Sequence, residues 1–461
     1  MAIDKDLKAA IAVTRFGLGA RTGEIAAARS DPQGFLASQI RAEGADLPSP
    51  GSPDSVERFG EFGAYRQDRQ AARQAGDPKS DPVKMAARML RQDTGADFLA
   101  RVRLGATTET GFRERWALFW ANHFTVSANK LVTATLVGPF EAEAIRPHVF
   151  GRFEDLLVAS SSHPAMLIYL DQAQSIGPDS QAAAFLARGG KHAGLNENLA
   201  REIMELHTVG VDAGYTQADV TEFARAMTGW SLGGLREADN RRGRFFFRER
   251  AHEPGERTIM GRRYPQGGQQ QAEAVMKDLA ASPHTAHHIA VKLGTHFVAD
   301  DPPPPLVARL ERAYLSTNGH LGEVAKTLIS SPEAWDPRAR KFKTPYEFMV
   351  SSWRATGVVP QRIEAVAPVM NSMGQKAFSA PSPKGWSEAA QDWAAPDAVM
   401  KRIAWSESLA AQTAGDRNPG QLATEALGPR LTPAVATAVA RAETRSEGLA
   451  ILLMSPEFQR R

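Results

Sequence analysis

A predominantly helical fold with one small β element is what this sequence predicts, and three observations carry that expectation. Apolar residues recur at spacings of three and four, the period of one helix face, over most of the chain. Ala, Leu, Glu and Arg, all good helix formers, fill the positions between them. The period breaks at 241–264, where Phe245-Phe246-Phe247 and Thr258-Ile259-Met260 flank the turn-rich His252-Glu253-Pro254-Gly255, so a β-hairpin or long ordered loop is expected there.

Taken in order, the helical pattern covers 112–124, 196–209, 217–227, 269–279, 286–297, 306–314 and 345–356. Within 44–82, the stretch 47–55 is rich in Pro, Gly, Ser and Asp and 67–82 is polar and charged. That span therefore reads as a polar insertion or linker ending in a solvated helix end. The span 377–396 carries Pro381, Pro383, Trp386 and Trp393 and reads as a packed functional loop. Leu328 to Glu333 and Leu452 to Glu457 repeat an apolar helix end followed by Ser-Pro-Glu, which is ordinary capping chemistry.

With 461 residues, 43% hydrophobic and 23% charged, the chain has enough apolar material for a sizeable core. No run approaches the roughly 20 apolar residues of a membrane span. The start, MAIDKDLKAAIAVTRFG, places Asp4 and Asp6 before a short apolar stretch, unlike a secretory signal, so a cytoplasmic location is the expectation from the residues. The absence of cysteine excludes disulfides, zinc ribbons, iron–sulfur clusters and thiol nucleophiles, leaving His, Asp, Glu and Asn as metal ligands. The 55 Lys and Arg against 52 Asp and Glu give +3, and the dense basic spots at Arg241–Arg244 and Arg262–Arg263 are too few for nucleic acid.

Two motifs imitate chemistry in the wrong context. Gly229-Trp230-Ser231-Leu232-Gly233 matches the hydrolase nucleophile pattern, but a helix precedes it and a strand-forming segment follows, the reverse of a nucleophile elbow. Gly17-Leu18-Gly19 with Gly23 lacks the third glycine position of a dinucleotide loop and reads as a helix end followed by a helix capped by Thr22.

The densest polar stretch on any expected helix runs from Asn196 to His207. At about 100° per residue, Glu197, Asn198, Arg201, Glu202 and Glu205 share one face. Glu202 and Glu205 can converge on one divalent metal or act as an acid and base, whereas Glu197, Arg201 and Glu205 at spacings of four also make an exposed salt-bridge ladder. His123 ends an aromatic helix and is either a ligand or a core histidine. Asp171 is open between a buried acid and a cap partner, and His252 lies in the expected hairpin turn. His284, with His288 four residues on, has metal-ligand spacing, weakened by its expected place at a helix N-cap. Trp386 and Trp393 suit either a sugar platform or packing under a loop.

Together, RFGLGA (15–20), RERWALFWANHFTVS (113–127), MLIYLD (166–171), NENLAREIMELHTVGVDAGYTQADV (196–220), TGW (228–230), the His252-Glu253 pair, KFKTPYEF (341–348), Gly385-Trp386 and SPEFQ (455–459) resemble the bacterial family called domain of unknown function 1800. The resemblance runs nearly the whole chain in order and implies one helical unit over 1–461. It also implies a gene neighbourhood with domain of unknown function 1501, so a phosphatase- or sulfatase-like partner protein, and a periplasmic location for some members. The family pattern favours Asp-Asn where this chain has Asp171-Gln172, and His-Asp where it has His252-Glu253.

Two functions are expected from these readings. The first is a metal- or carboxylate-dependent hydrolase or transferase acting on an envelope-related or carbohydrate-like substrate. Glu202 and Glu205 would be ligands or an acid–base pair, Arg201 an anion holder, and His123 or His252 the completing group. Asn122, Asp171, Glu197, Asn198, Trp230 and Trp386 would bind substrate. The second is a non-catalytic helical accessory protein for the phosphatase-like partner.

Overall fold

The computed structural model describes residues 4–192, 194–235, 241–338 and 340–461. The fold is predominantly helical, with two small two-stranded sheets among the described residues. All seven stretches of helical periodicity form helices, and Gln217–Met227 and Pro345–Thr356 keep the expected bounds. Both of those carry a capping box, in which Thr216 or Thr344 and the acid three residues on satisfy each other's backbone N–H groups.

The β element near 241–264 is present, but its strands take different partners from a single hairpin. Strand β1 (Trp230–Leu232) pairs antiparallel with β2 (Phe245–Phe247), and β3 (Arg257–Ile259) pairs with β4 (Arg262–Tyr264). Phe245-Phe246-Phe247 thus meets the chain before it, where Trp230 packs on Phe245 at a ring separation of 5.1 Å. Ser231 sits inside β1, buried, donating to Ala173 O at 3.0 Å, so no nucleophile elbow forms.

Three local expectations change. The polar span 44–82 contains the helix Ser55–Gln74, started by Asp54 accepting from Glu57 N–H at 2.8 Å and anchored by buried Phe59 and Gly63. Thr22 caps nothing: Gly23, at φ +79°, takes the N-cap position, and Thr22 donates to Glu425 at 2.7 Å. His284 lies inside the helix Pro283–Phe297, whose N-cap is Ser282. Its neighbours diverge, His287 to Glu311 at 3.1 Å and His288 to Leu206 O at 3.0 Å, so the three histidines do not converge.

Burial gathers into two hydrophobic cores. One holds Phe16, Trp116, Trp120, Phe153, Phe223 and Phe297; the other holds Leu18, Phe98, Tyr346, Phe348, Leu449 and Phe458. The helix Gly111–His123 serves both, giving Trp116 and Phe119 to the first and Leu118 to the second. Such a two-sided helix needs apolar residues all round, which explains its unbroken run of buried positions from Gly111 to Trp120. No helix among the described residues is long and apolar enough to cross a membrane.

Candidate functional site

The expected polar helix face does not assemble into one centre with His123 and His252. The helix Asn198–Glu202 continues as a π-helical turn, Ile203–His207, which shifts its last residues from the regular 100° spacing. Glu197 accepts from Arg201 at 3.1 Å, Gln217 at 2.8 Å and Thr221 at 2.7 Å, and these bonds, the Thr221 one foremost, hold its carboxyl below the usual range. This end is a solvated ladder, and Asn198 is exposed beside it. Glu202 and Glu205 are half-buried and have no hydrogen bond or ion pair among the described residues. Burial, then the Glu205 charge, push Glu202 upward, and burial with the Glu202 charge raises Tyr169 to about 12.

His123 faces elsewhere. It is buried, donates from Nε2 to His207 O at 3.1 Å, and lies among Phe124, His207 and His288 at ring separations of 4.6, 5.9 and 6.4 Å. Burial, then Lys292 and the other two histidines, hold it well below its ordinary value, so it is a neutral core histidine. His252 binds Thr228 O at 2.9 Å beneath Phe247. Asp171 accepts from Lys130 at 2.9 Å and lends its backbone carbonyl to Asn196 at 3.2 Å. Trp230 is buried in β1. Among the described residues no group of three or more His, Asp or Glu is placed to hold a metal ion.

Asn122 and Trp386, by contrast, meet in a cavity of about 110 Å³ at the seam between the two cores. Asn122 donates from Nδ2 to Trp386 O at 3.0 Å and accepts from Trp386 N–H at 2.7 Å, so the amide side chain clamps the 377–396 loop onto the aromatic helix. Gly385 permits the clamp. Its φ is +84°, and a Cβ there would stand 2.5 Å from Asn122 O and 2.7 Å from its Oδ1. Gly385→Ala is therefore expected to cost about 2–3 kcal/mol in a urea titration, against at most about 1 kcal/mol for Gly51→Ala, where φ is +80° but nothing lies within 4 Å.

Beside the clamp, His296 and Glu388 both line the cavity, with His296 Nδ1 2.7 Å from Glu388 Oε1. Burial disfavours the Glu388 charge, but His296, Lys341 and Arg461 outweigh it and bring the carboxyl down to about 2. An ionised carboxylate only accepts, so Nδ1 carries the imidazole proton. Burial holds His296 below its ordinary value despite Glu388, leaving it neutral near pH 7. Its Nε2 is then a bare lone pair, and that atom is buried without a hydrogen-bond partner among the described residues.

Glu347, the capping-box acid of the Pro345–Thr356 helix, stands on another wall, paired with Arg115 and, at 2.9 Å, with Arg461. Burial opposes its charge, but Arg115, Arg461 and His296 hold it well below the carboxylate range. Arg461 also donates to His296 O at 2.6 Å, fixing the backbone of the histidine. Lys341 binds Asp300 and the Glu388 backbone carbonyl, which pins the loop from its far side. Exposed Lys376 lines the cavity, and its ammonium has no hydrogen bond or ion pair among the described residues.

Sequence reasoning reached Asn122 and Trp386 but missed His296, Glu388, Glu347 and Arg115. His296 sits in an apolar helix and Glu388 lies two positions after Trp386, with no local spacing to link them across 92 residues. The available sign was the set of motifs behind the family resemblance: four stretches, 15–20, 113–127, 341–348 and 385–386, each place residues on this cavity.

The family model described as Protein of unknown function (DUF1800) matches residues 11–460, nearly the whole chain, and the chain belongs to that family. No curated protein and no solved structure matches it.

Proposed function

We propose that this family member is a hydrolase or transferase in which His296, oriented by Glu388, is the general base, acting on an ester-type bond of a carbohydrate-like substrate. The carrying observation is the unpartnered Nε2 of a cavity-lining histidine whose Nδ1 is held by an ionised carboxylate. In this reading Nε2 takes a proton from water or a substrate hydroxyl as that oxygen bonds to the acyl carbon. The imidazolium, stabilised by Glu388, then returns the proton to the departing alcohol. Ester cleavage fits better than glycoside cleavage, which asks for a protonated carboxylic acid. The three acids that line the cavity, Glu141, Glu347 and Glu388, are held ionised by cations.

Half-buried Trp386 supplies a flat apolar face for a sugar ring, and Lys376 supplies a positive charge toward developing negative charge on oxygen. The cavity has room for a few waters or the reacting end of a substrate, not for a whole saccharide.

Turnover of p-nitrophenyl acetate and of peracetylated cellobiose tests the reading. Wild-type protein is expected to cleave at least one, and His296→Asn, compared at a temperature where both are folded, to be slower by about 100-fold or more. No turnover of either ester, or equal rates in wild type and variant, would overturn it.

A further inference from the structure

A second, larger concavity of about 1570 Å³ lies along the Ser55–Gln74 helix, bounded on its other sides by residues of 130–132, 168–176 and 231–235 and by Arg248. The helix explains its character. Phe59 and Gly63 are buried, and the helix face they define continues through Arg66, Gln70 and Arg73 at successive spacings of three and four, with Arg69 at its edge. An ordinary amphipathic helix would keep that face apolar and covered. Here its second half is polar and exposed, and it lines the concavity.

The charge on this surface is one-sided. Arg66, Arg69, Arg73, Lys130 and Arg248 line it, and among the described residues no Asp or Glu does. Lys130 is paired with Asp171 at 2.9 Å, while Arg66, Arg69 and Arg73 have no ion pair or hydrogen bond among the described residues. Three like charges on one helical face repel one another and destabilise the helix slightly, so nothing in the fold itself rewards their placement. Gln67, Gln70 and Gln174 add amides whose donors and acceptors are likewise unengaged. Phe62 and Tyr65, ring centroids 6.0 Å apart, stand half-buried at the apolar end.

We infer that this groove binds an acidic oligosaccharide, a sugar chain bearing carboxylates. The guanidinium forks match planar carboxylates, and the glutamine amides match ring hydroxyls. Single-stranded nucleic acid fits less well. It needs aromatic faces presented for base stacking, whereas Phe59 is buried and Phe62 and Tyr65 are half covered. The volume takes several sugar units, and the groove's residues are not those of the His296 cavity. Occupancy here therefore does not depend on turnover there.

The test is calorimetric titration of the full chain with an oligogalacturonate, a neutral cello-oligosaccharide of equal length, a single-stranded oligothymidylate and sodium sulfate. Wild-type protein is expected to bind the oligogalacturonate at least about tenfold more tightly than the other three at equal ionic strength. The combined Arg66→Gln, Arg69→Gln and Arg73→Gln variant, substituted only at exposed positions, is expected to lose that binding by roughly tenfold or more with an unchanged melt. His296→Asn should bind as wild type does. Equal or tighter binding of oligothymidylate, no binding of oligogalacturonate, or affinity unaffected by the triple substitution would each overturn the inference.

Discussion

Replacing Arg146 with Met is expected to lower stability by about 3–5 kcal/mol, because it strands two buried carboxylates rather than removing one favourable pair. The Arg146 side chain has no exposed surface, and those of Glu114 and Glu141 are 2% and 7% exposed. The guanidinium reaches Glu114 at 2.7 and 2.9 Å, Glu141 at 2.6 and 3.0 Å, and Asp46 O at 2.6 Å. Among the described residues only Glu141 keeps another cation, Arg101 at 3.2 Å. Urea unfolding of Arg146→Met against the triple replacement Arg146→Met, Glu114→Leu and Glu141→Leu separates the causes. The triple variant should recover much of the loss, since a packed apolar trio needs no compensation for buried charge. A loss below about 1 kcal/mol in the single variant would show that water reaches this trio.

Trp116→Ala should cost about as much, roughly 3–5 kcal/mol, through a different cause. Trp116 is wholly buried and touches Phe112, Trp120, Phe150 and Phe297, the Phe150 ring stacked at 6.0 Å and 5°. Its indole N–H donates to Val149 O at 2.6 Å, so truncation opens a large cavity and leaves that carbonyl unpaired. Trp116→Phe keeps most of the packing and loses the hydrogen bond, and should cost about 1–2 kcal/mol. Unfolding measured for both variants apportions the two terms. Equal losses would assign the whole effect to the hydrogen bond.

These two residues also show why the fold was legible in the sequence and the site was not. Helices follow from local spacing: Gln217–Met227 and Pro345–Thr356 were set by apolar period plus a Thr cap with an acid three residues on. The polar run from Asn196 to His207 was equally visible, but its meaning depended on what packs against it. Glu197 turned to Gln217 and Thr221 on the next helix, and a π-helical turn moved His207 into the core. The pairing of β1 with β2 required knowing that Trp230 pairs with the distant Phe247. The His296–Glu388 contact joins an apolar helix to an irregular loop, and neither partner stands out in its own neighbourhood. Asn122 and Trp386 were reachable because each sits in a short motif of the family resemblance, though nothing local shows that they clamp each other.

The central claim, that His296 is a neutral base with its proton on Nδ1 and a free Nε2, can be measured without any substrate. Long-range proton–nitrogen correlation spectra recorded across pH, with His296→Asn identifying the resonance, report both the tautomer and the titration. The account predicts the Nδ1–H tautomer at pH 7 and a midpoint below 6.5, since burial outweighs the Glu388 charge. An Nε2–H tautomer, or a midpoint above 6.5, would contradict it.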